Sequence, residues 1–190
     1  MSLRFIDGFS LYNNQADLLK KWDYTNNSSN PIFTTGRTPT STGLRFDENA
    51  AFLGKVLDNQ ASWVVGFWFY LSAYPNIVSP ILKLIDGETP DTQVDVRIAT
   101  DGTMGVTKNG TSIAGALSFT PIPLGVWNFI ELKCTIGNSV SAGTCELRLN
   151  TQTIFVNSGS GDTQNTSNAY ANVIQFSQLL GSLGTYYVLS

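Results

Sequence analysis

The sequence contains no histidine, which removes the commonest general base and the commonest metal ligand together. Without histidine, its two cysteines, Cys134 and Cys145, cannot complete a zinc site. Charged residues make up only 13% of the chain, against roughly 25% in ordinary globular proteins. Ser, Thr, Asn and Gln must therefore cover much of the surface. The net charge is −3 and no basic cluster exceeds Lys20-Lys21, which argues against nucleic acid as a partner. No stretch approaches the roughly 20 apolar residues of a membrane span, so no membrane partner is expected. The opening MSLRFIDGFSLY lacks a basic region followed by an apolar run. No signal peptide is expected, and the chain should be made in a reducing cytoplasm.

What remains is rich in strands and turns. The 190 residues suit a single domain, 1–190, with a substantial core. One short helix is predicted in NNQADLLKKW, capped by Asn14 and docked through Leu18, Leu19 and Trp22. Short strands follow at Ile32 to Thr34 and Gly43 to Phe46. SWVVGFWFYLSAYP is the most apolar run and reads as a central strand covered on both faces, with Trp63, Phe67, Trp68 and Phe69 in the core. VDVRIATDGTMGVTKNGTSIAG reads as a meander. Ile98 should face Met104, and Val96 should face Val106, across a loop with Gly102 in a left-handed bulge. Asn109-Gly110 then turns the chain so that Val106 meets Ile113. Many short strands, frequent turn signals and almost no helix indicate an all-β, two-sheet antiparallel sandwich.

The stretch IELKCTIGNSVSAGTCELRLN holds both cysteines and two glutamates. Read as a hairpin, it places Ile130 opposite Leu149, Leu132 opposite Leu147, and Cys134 opposite Cys145. The same register sets Glu131 against Arg148 and Lys133 against Glu146. One face is then apolar and the other is made of opposite charges, so a one-residue slip would spoil both. The glutamates have a structural explanation as cross-strand partners. The cysteines are expected to be reduced, buried and inert. Trp127 and Phe129 fall on the charged face, where a loop or a neighbouring protein covers them or they form a binding patch.

The order GLRF, WVVGFWFYLSAYP, DGTMGVTKNGTSIA, PLGVWNFIELKCTI, CELRLNTQTI and YYVLS resembles concanavalin A-like jelly rolls of the laminin G-like kind. The resemblance is to those in bacteriophage virion proteins, and it runs from Phe5 to Leu189. It implies two packed sheets with the first and last strands together, so Phe5 to Leu11 should pair with Tyr186 to Leu189. Ser190 falls within the closing strand. Either that strand is short or a partner chain completes its edge.

Chemistry has few places to reside. The glucanase branch of the resembled fold carries Glu-x-Asp-x-Glu on one strand, and that motif is absent here. Asp91 and Asp95 come nearest, and read as a loop acid and an exposed strand residue. Calcium has two candidate loops, DGETPDTQVD and SGSGDTQNTSN, although Asp, Asn and Thr there also suit turn formation. No catalytic residue, metal site or cofactor is expected. The reading is a non-enzymatic structural or attachment protein of a phage particle, capsid-decorating or tail-associated. Its expected partners are other virion proteins and further copies of itself, as a trimer, with glycan as a further candidate ligand. The alternative is a carbohydrate-binding or adhesion module.

Overall fold

The computed structural model describes residues 3–12, 14–25, 32–46, 52–87, 91–113, 116–117, 120–139, 142–157, 161–177 and 187–190. The strands, numbered along the chain, form two antiparallel sheets. The first, seven-stranded sheet runs in spatial order β1 (Tyr24–Thr25), β4 (Phe52–Gln60), β14 (Ala171–Ser177), β6 (Ser79–Asp86), β7 (Asp91–Ile98), β8 (Met104–Lys108) and β9 (Thr111–Ser112). The second, eight-stranded sheet runs β10 (Ala116–Leu117), β13 (Gln152–Asn157), β12 (Thr144–Leu149), β11 (Trp127–Thr135), β5 (Ser62–Leu71), β15 (Tyr187–Leu189), β3 (Thr42–Phe46) and β2 (Ile32–Thr35).

Alternation builds the core. In β5, Trp63, Val65, Phe67, Phe69 and Leu71 are buried, while their even-numbered neighbours face out. They meet Leu82, Leu84, Val94, Val96 and Phe176 of the other sheet in one apolar cluster. The expectation that β5 is covered on both faces is corrected: Trp68 and Tyr70 are half-buried and Val64 is exposed. Trp68 is not core. Strands enclosed on both sides are β6, where only Lys83 escapes full burial, and the short β15.

The hairpin β11–β12 has the register read from its sequence, from Ile130↔Leu149 to Cys134↔Cys145. In the meander Ile98 faces Met104 and Val96 faces Val106, with Gly102 at φ +83. A side chain at Gly102 would strike the Tyr74 ring, at 2.2 Å. Asn109 and Gly110 turn the chain at φ 44 and 84, and the pairing then ends at Thr107↔Ser112, one residue short of Ile113.

The helix α1 (Gln15–Leu18) is capped by Asn14, whose Oδ1 accepts from Asp17 N at 3.0 Å. It docks through Leu18 and Trp22, whereas Leu19 is exposed. The expected N-terminal strand is not there. Asp7 accepts from Phe9 N, Tyr12 Oη and Trp22 Nε1, and Phe9 adopts φ 56, so this segment coils around its own carboxylate. The closing strand β15 instead lies inside the sheet, paired with β3 on one side and β5 on the other. It is not an edge awaiting a partner. Of its expected span, Tyr186 lies outside the described residues.

Candidate functional site

The second sheet presents its outer face to solvent, and pairing between β5 and β11 organises it. Tyr70 stands opposite Trp127, and Trp68 opposite Phe129. These four side chains point the same way because even positions of β5 and odd positions of β11 share a face. The rung through Tyr70 continues to Val188 and Arg45. Tyr70 and Trp127 have ring centroids 5.7 Å apart with planes tilted by 54°, and Trp68 and Phe129 5.3 Å apart with planes tilted by 56°. The Arg37 guanidinium lies over Trp68 at 4.5 Å. All four rings remain partly exposed, and Leu124 and Val126 extend the apolar surface at 40% and 50% exposure.

Local devices hold the platform in place. Gly66 leaves room for the Phe129 ring, since a Cβ there would lie 2.9 Å from its Cζ. Asn150, at φ 49 in the turn after β12, accepts from Phe129 N at 2.8 Å and donates its own N–H to Phe129 O. Its side-chain amide donates to Asn128 Oδ1 at 2.9 Å. Asn128 is buried and donates to Pro123 O and Val126 O, fixing the rim loop before Trp127.

The same strands carry charge at their other end. Arg148 Nε donates to Glu146 Oε1 at 2.8 Å and its Nη1 lies 3.6 Å from Glu131. Glu146 also accepts from Thr153 Oγ1. Hydrogen bonds from Arg148 and Thr153 hold the Glu146 carboxyl below its usual range, and Glu146 raises Arg148 in turn. Lys133 faces Glu146 in register but acts on it through its field, because Glu146 turns to Arg148 instead. Cys134 and Cys145 are buried free thiols with sulfurs 2.8 Å apart. The hydrogen bond to Cys145, then burial, pushes the Cys134 thiol well above its ordinary value.

The two candidate calcium loops do meet, through hydrogen bonds. Buried Asp86 accepts from Thr166 Oγ1 at 2.8 Å and Asn168 Nδ2 at 2.9 Å. Buried Gln93 donates to Asn168 O and Tyr170 O and accepts from Asn165 N. This ties residues 161–170 to β6 and β7. Among the described residues no three His, Cys, Asp or Glu side chains gather to hold a metal. Asp95, expected on the surface, is 1% exposed. It accepts from Arg97 Nε, Thr107 Oγ1 and Gly110 N, which satisfies a carboxylate that burial would otherwise penalise.

The sequence pointed to Trp127 and Phe129 but missed Trp68, Tyr70, Arg37 and Arg45. The even positions of SWVVGFWFYL carried a signal, since Val64, Gly66, Trp68 and Tyr70 are a less apolar set than Trp63, Val65, Phe67 and Phe69.

No family model and no curated protein matches the sequence. Solved structures do share the shape. An endo-β-1,4-glucuronan lyase from the fungus Trichoderma reesei superposes with a TM-score of 0.63 at 9% identity, covering 90% of this chain and 89% of that one. The alginate lyase Aly36B gives 0.61 at 8% identity over 96% and 92%. The potassium-bound carbohydrate recognition domain of Emp46p gives 0.57 at 7% identity over 96% and 92%. At such identities the likeness is one of fold: a concanavalin A-like jelly-roll sandwich.

Proposed function

We propose that this chain is a carbohydrate-binding module that grips glycan on the outer face of its second sheet, without catalytic turnover. The observation that carries this reading is the platform of Trp68, Tyr70, Trp127 and Phe129 beside Arg37. Sugar rings present faces of C–H groups that rest on aromatic rings, and fixed rings lose little freedom on binding. Arg37 adds a planar donor suited to a carboxylate. The neighbours named above include a carbohydrate recognition domain and enzymes named for glucuronan and alginate, so these acidic polymers are the first probes. Binding without turnover suits a face whose glutamates are hydrogen-bonded or paired to Arg148. The expectation of a phage-particle protein rests on sequence resemblance alone, whereas glycan binding has a surface to act through.

The test is titration calorimetry with glucuronan, alginate and neutral glucans, backed by a glycan array, on wild type and Trp127→Ala. Saturable binding that Trp127→Ala weakens, with no unsaturated sugar released, supports the proposal. Binding that Trp127→Ala leaves untouched, no binding to any glycan, or release of unsaturated oligosaccharides overturns it.

A further inference from the structure

The first sheet has an outer face of its own, and one rung crosses most of it. Register carries that rung from Tyr24 through Gly54, Gln175, Lys83 and Asp95 to Thr107. Their strand neighbours Leu82, Leu84, Val94, Val96 and Phe176 point into the core, so this rung points away from it. Charge along it is unevenly matched. The buried Asp95 carboxylate is taken up by Arg97 Nε, Thr107 Oγ1 and Gly110 N. Lys83 stands directly opposite Asp95, yet no hydrogen bond or ion pair among the described residues reaches its ammonium. It is half-buried, in a strand whose every other residue is buried. A cation so placed has lost part of its water without gaining an anion.

Beside Lys83 the floor is apolar. Ile85 and Val173 pair across β6 and β14 and are 8% and 5% exposed, but they belong to this outer face and not to the core cluster. With Tyr24 and Val56 they line a hollow of about 510 Å³. The amides at its margin are already engaged. Asn172 Oδ1 accepts from Gly87 N at 2.7 Å, and its Nδ2 donates to Asn59 Oδ1 at 3.0 Å. Gln175 Oε1 accepts from Tyr24 Oη at 3.4 Å, and its Nε2 donates to Ser177 Oγ at 3.0 Å. Lys83, next to Gln175 in register and two residues from Ile85, is the group here whose charge is unanswered.

We propose that this hollow binds a small monocarboxylate with an apolar body, its carboxylate on Lys83 and its body against Ile85 and Val173. The spacing suits such a ligand. Residues two apart on a strand lie about 7 Å from one another, the length of a ring or short chain that carries an acid group. The ammonium supplies the charge-assisted contact and the floor supplies apolar area. A sugar acid would bring several hydroxyls to a margin whose amides already have partners, and hydroxyls buried without partners cost affinity. The site lies on the opposite side of the sandwich from the aromatic platform and does not depend on it.

Two probes carry this chemistry in different form, 3-phenylpropanoate as a ring and octanoate as a chain. Each is titrated into the intact chain beside its neutral amide. Saturable binding by at least one acid, weakened about tenfold or more in its amide and in Lys83→Gln, supports the proposal, since a hydrogen bond to a charged group is what both changes remove. The tighter of the two acids tells a ring-shaped occupant from a chain. Methyl NMR places the ligand: the Ile85 and Val173 signals should shift and that of Val126, beside the aromatic platform, should not. If Lys83→Gln does not fold, the comparison of acid with amide on the wild type still decides. Failure of both acids to bind, equal affinity of acid and amide, unchanged binding in a folded Lys83→Gln, or glucuronate shifting the same methyls with equal affinity overturns the proposal.

Discussion

One end of β11 is aromatic and the other is charged, and the two halves of this sheet face resolve their exposure in different ways. In the charged half, Arg148 sits between Glu131 and Glu146, with Thr153 completing the shell of Glu146. Charge there is met within the sheet. In the aromatic half, Trp68 leans on Phe129 and Tyr70 on Trp127, yet part of every ring stays open, and the Arg37 guanidinium lies over Trp68. Gly66 marks the border, level with Glu131 and against Phe129. Charges on a strand are satisfied by a neighbour two or three ångströms away. Rings tilted against one another keep a surface that only a ligand or another molecule can cover.

The deepest break removes what the two halves share. Leu132 lies fully buried beneath their boundary, so Leu132→Ala should lower unfolding free energy by about 2–5 kcal/mol in urea denaturation. Both halves should be lost in a single transition. Gly66→Val sharpens the border instead. It forces the Phe129 ring aside, and overpacking of this kind costs about 1–3 kcal/mol. Glycan affinity should fall with it, while the Arg148 cluster stays intact by NMR. Trp127→Ala should weaken glycan binding about tenfold by calorimetry, with a stability loss including about 0.5–1.5 kcal/mol for the lost pair with Tyr70. The smallest effect belongs to the charged half. Glu131→Gln with Glu146→Gln removes pairs of about 0.2–1 kcal/mol each and should leave glycan affinity unchanged.

Acid should reveal the same asymmetry. The Glu146 carboxyl is held low in the fold by Arg148 and Thr153. Its stabilisation is therefore full above the unfolded glutamate value of about 4.3 and fades as pH falls through the lower folded value. The stability gap between wild type and Glu146→Gln should close below about pH 4, as read by thermal melts across pH.

Local pattern alone determined several features of this protein. The register of β11 on β12 was legible because two faces constrained it at once over a short loop. Asn14 at the helix cap, Gly102 and Asn109-Gly110 were legible because backbone geometry at those points admits few residue types. Tertiary structure decided the rest. Alternation shows which residues share a face but not whether that face is covered, so Trp68 passed for core until β11 lay beside β5. Asp7 reads as one polar residue in a strand, and only Tyr12 and Trp22 folding back on it turn the segment into coil. Asp95 reads as an exposed strand residue and Asp86 as part of a candidate calcium loop, until Arg97 and Thr107 enclose the one and Thr166 and Asn168 the other. The platform itself needs rungs between Tyr70 and Trp127, far apart in the chain. Such pairings are chosen by the packing of whole sheets, which no window of sequence contains.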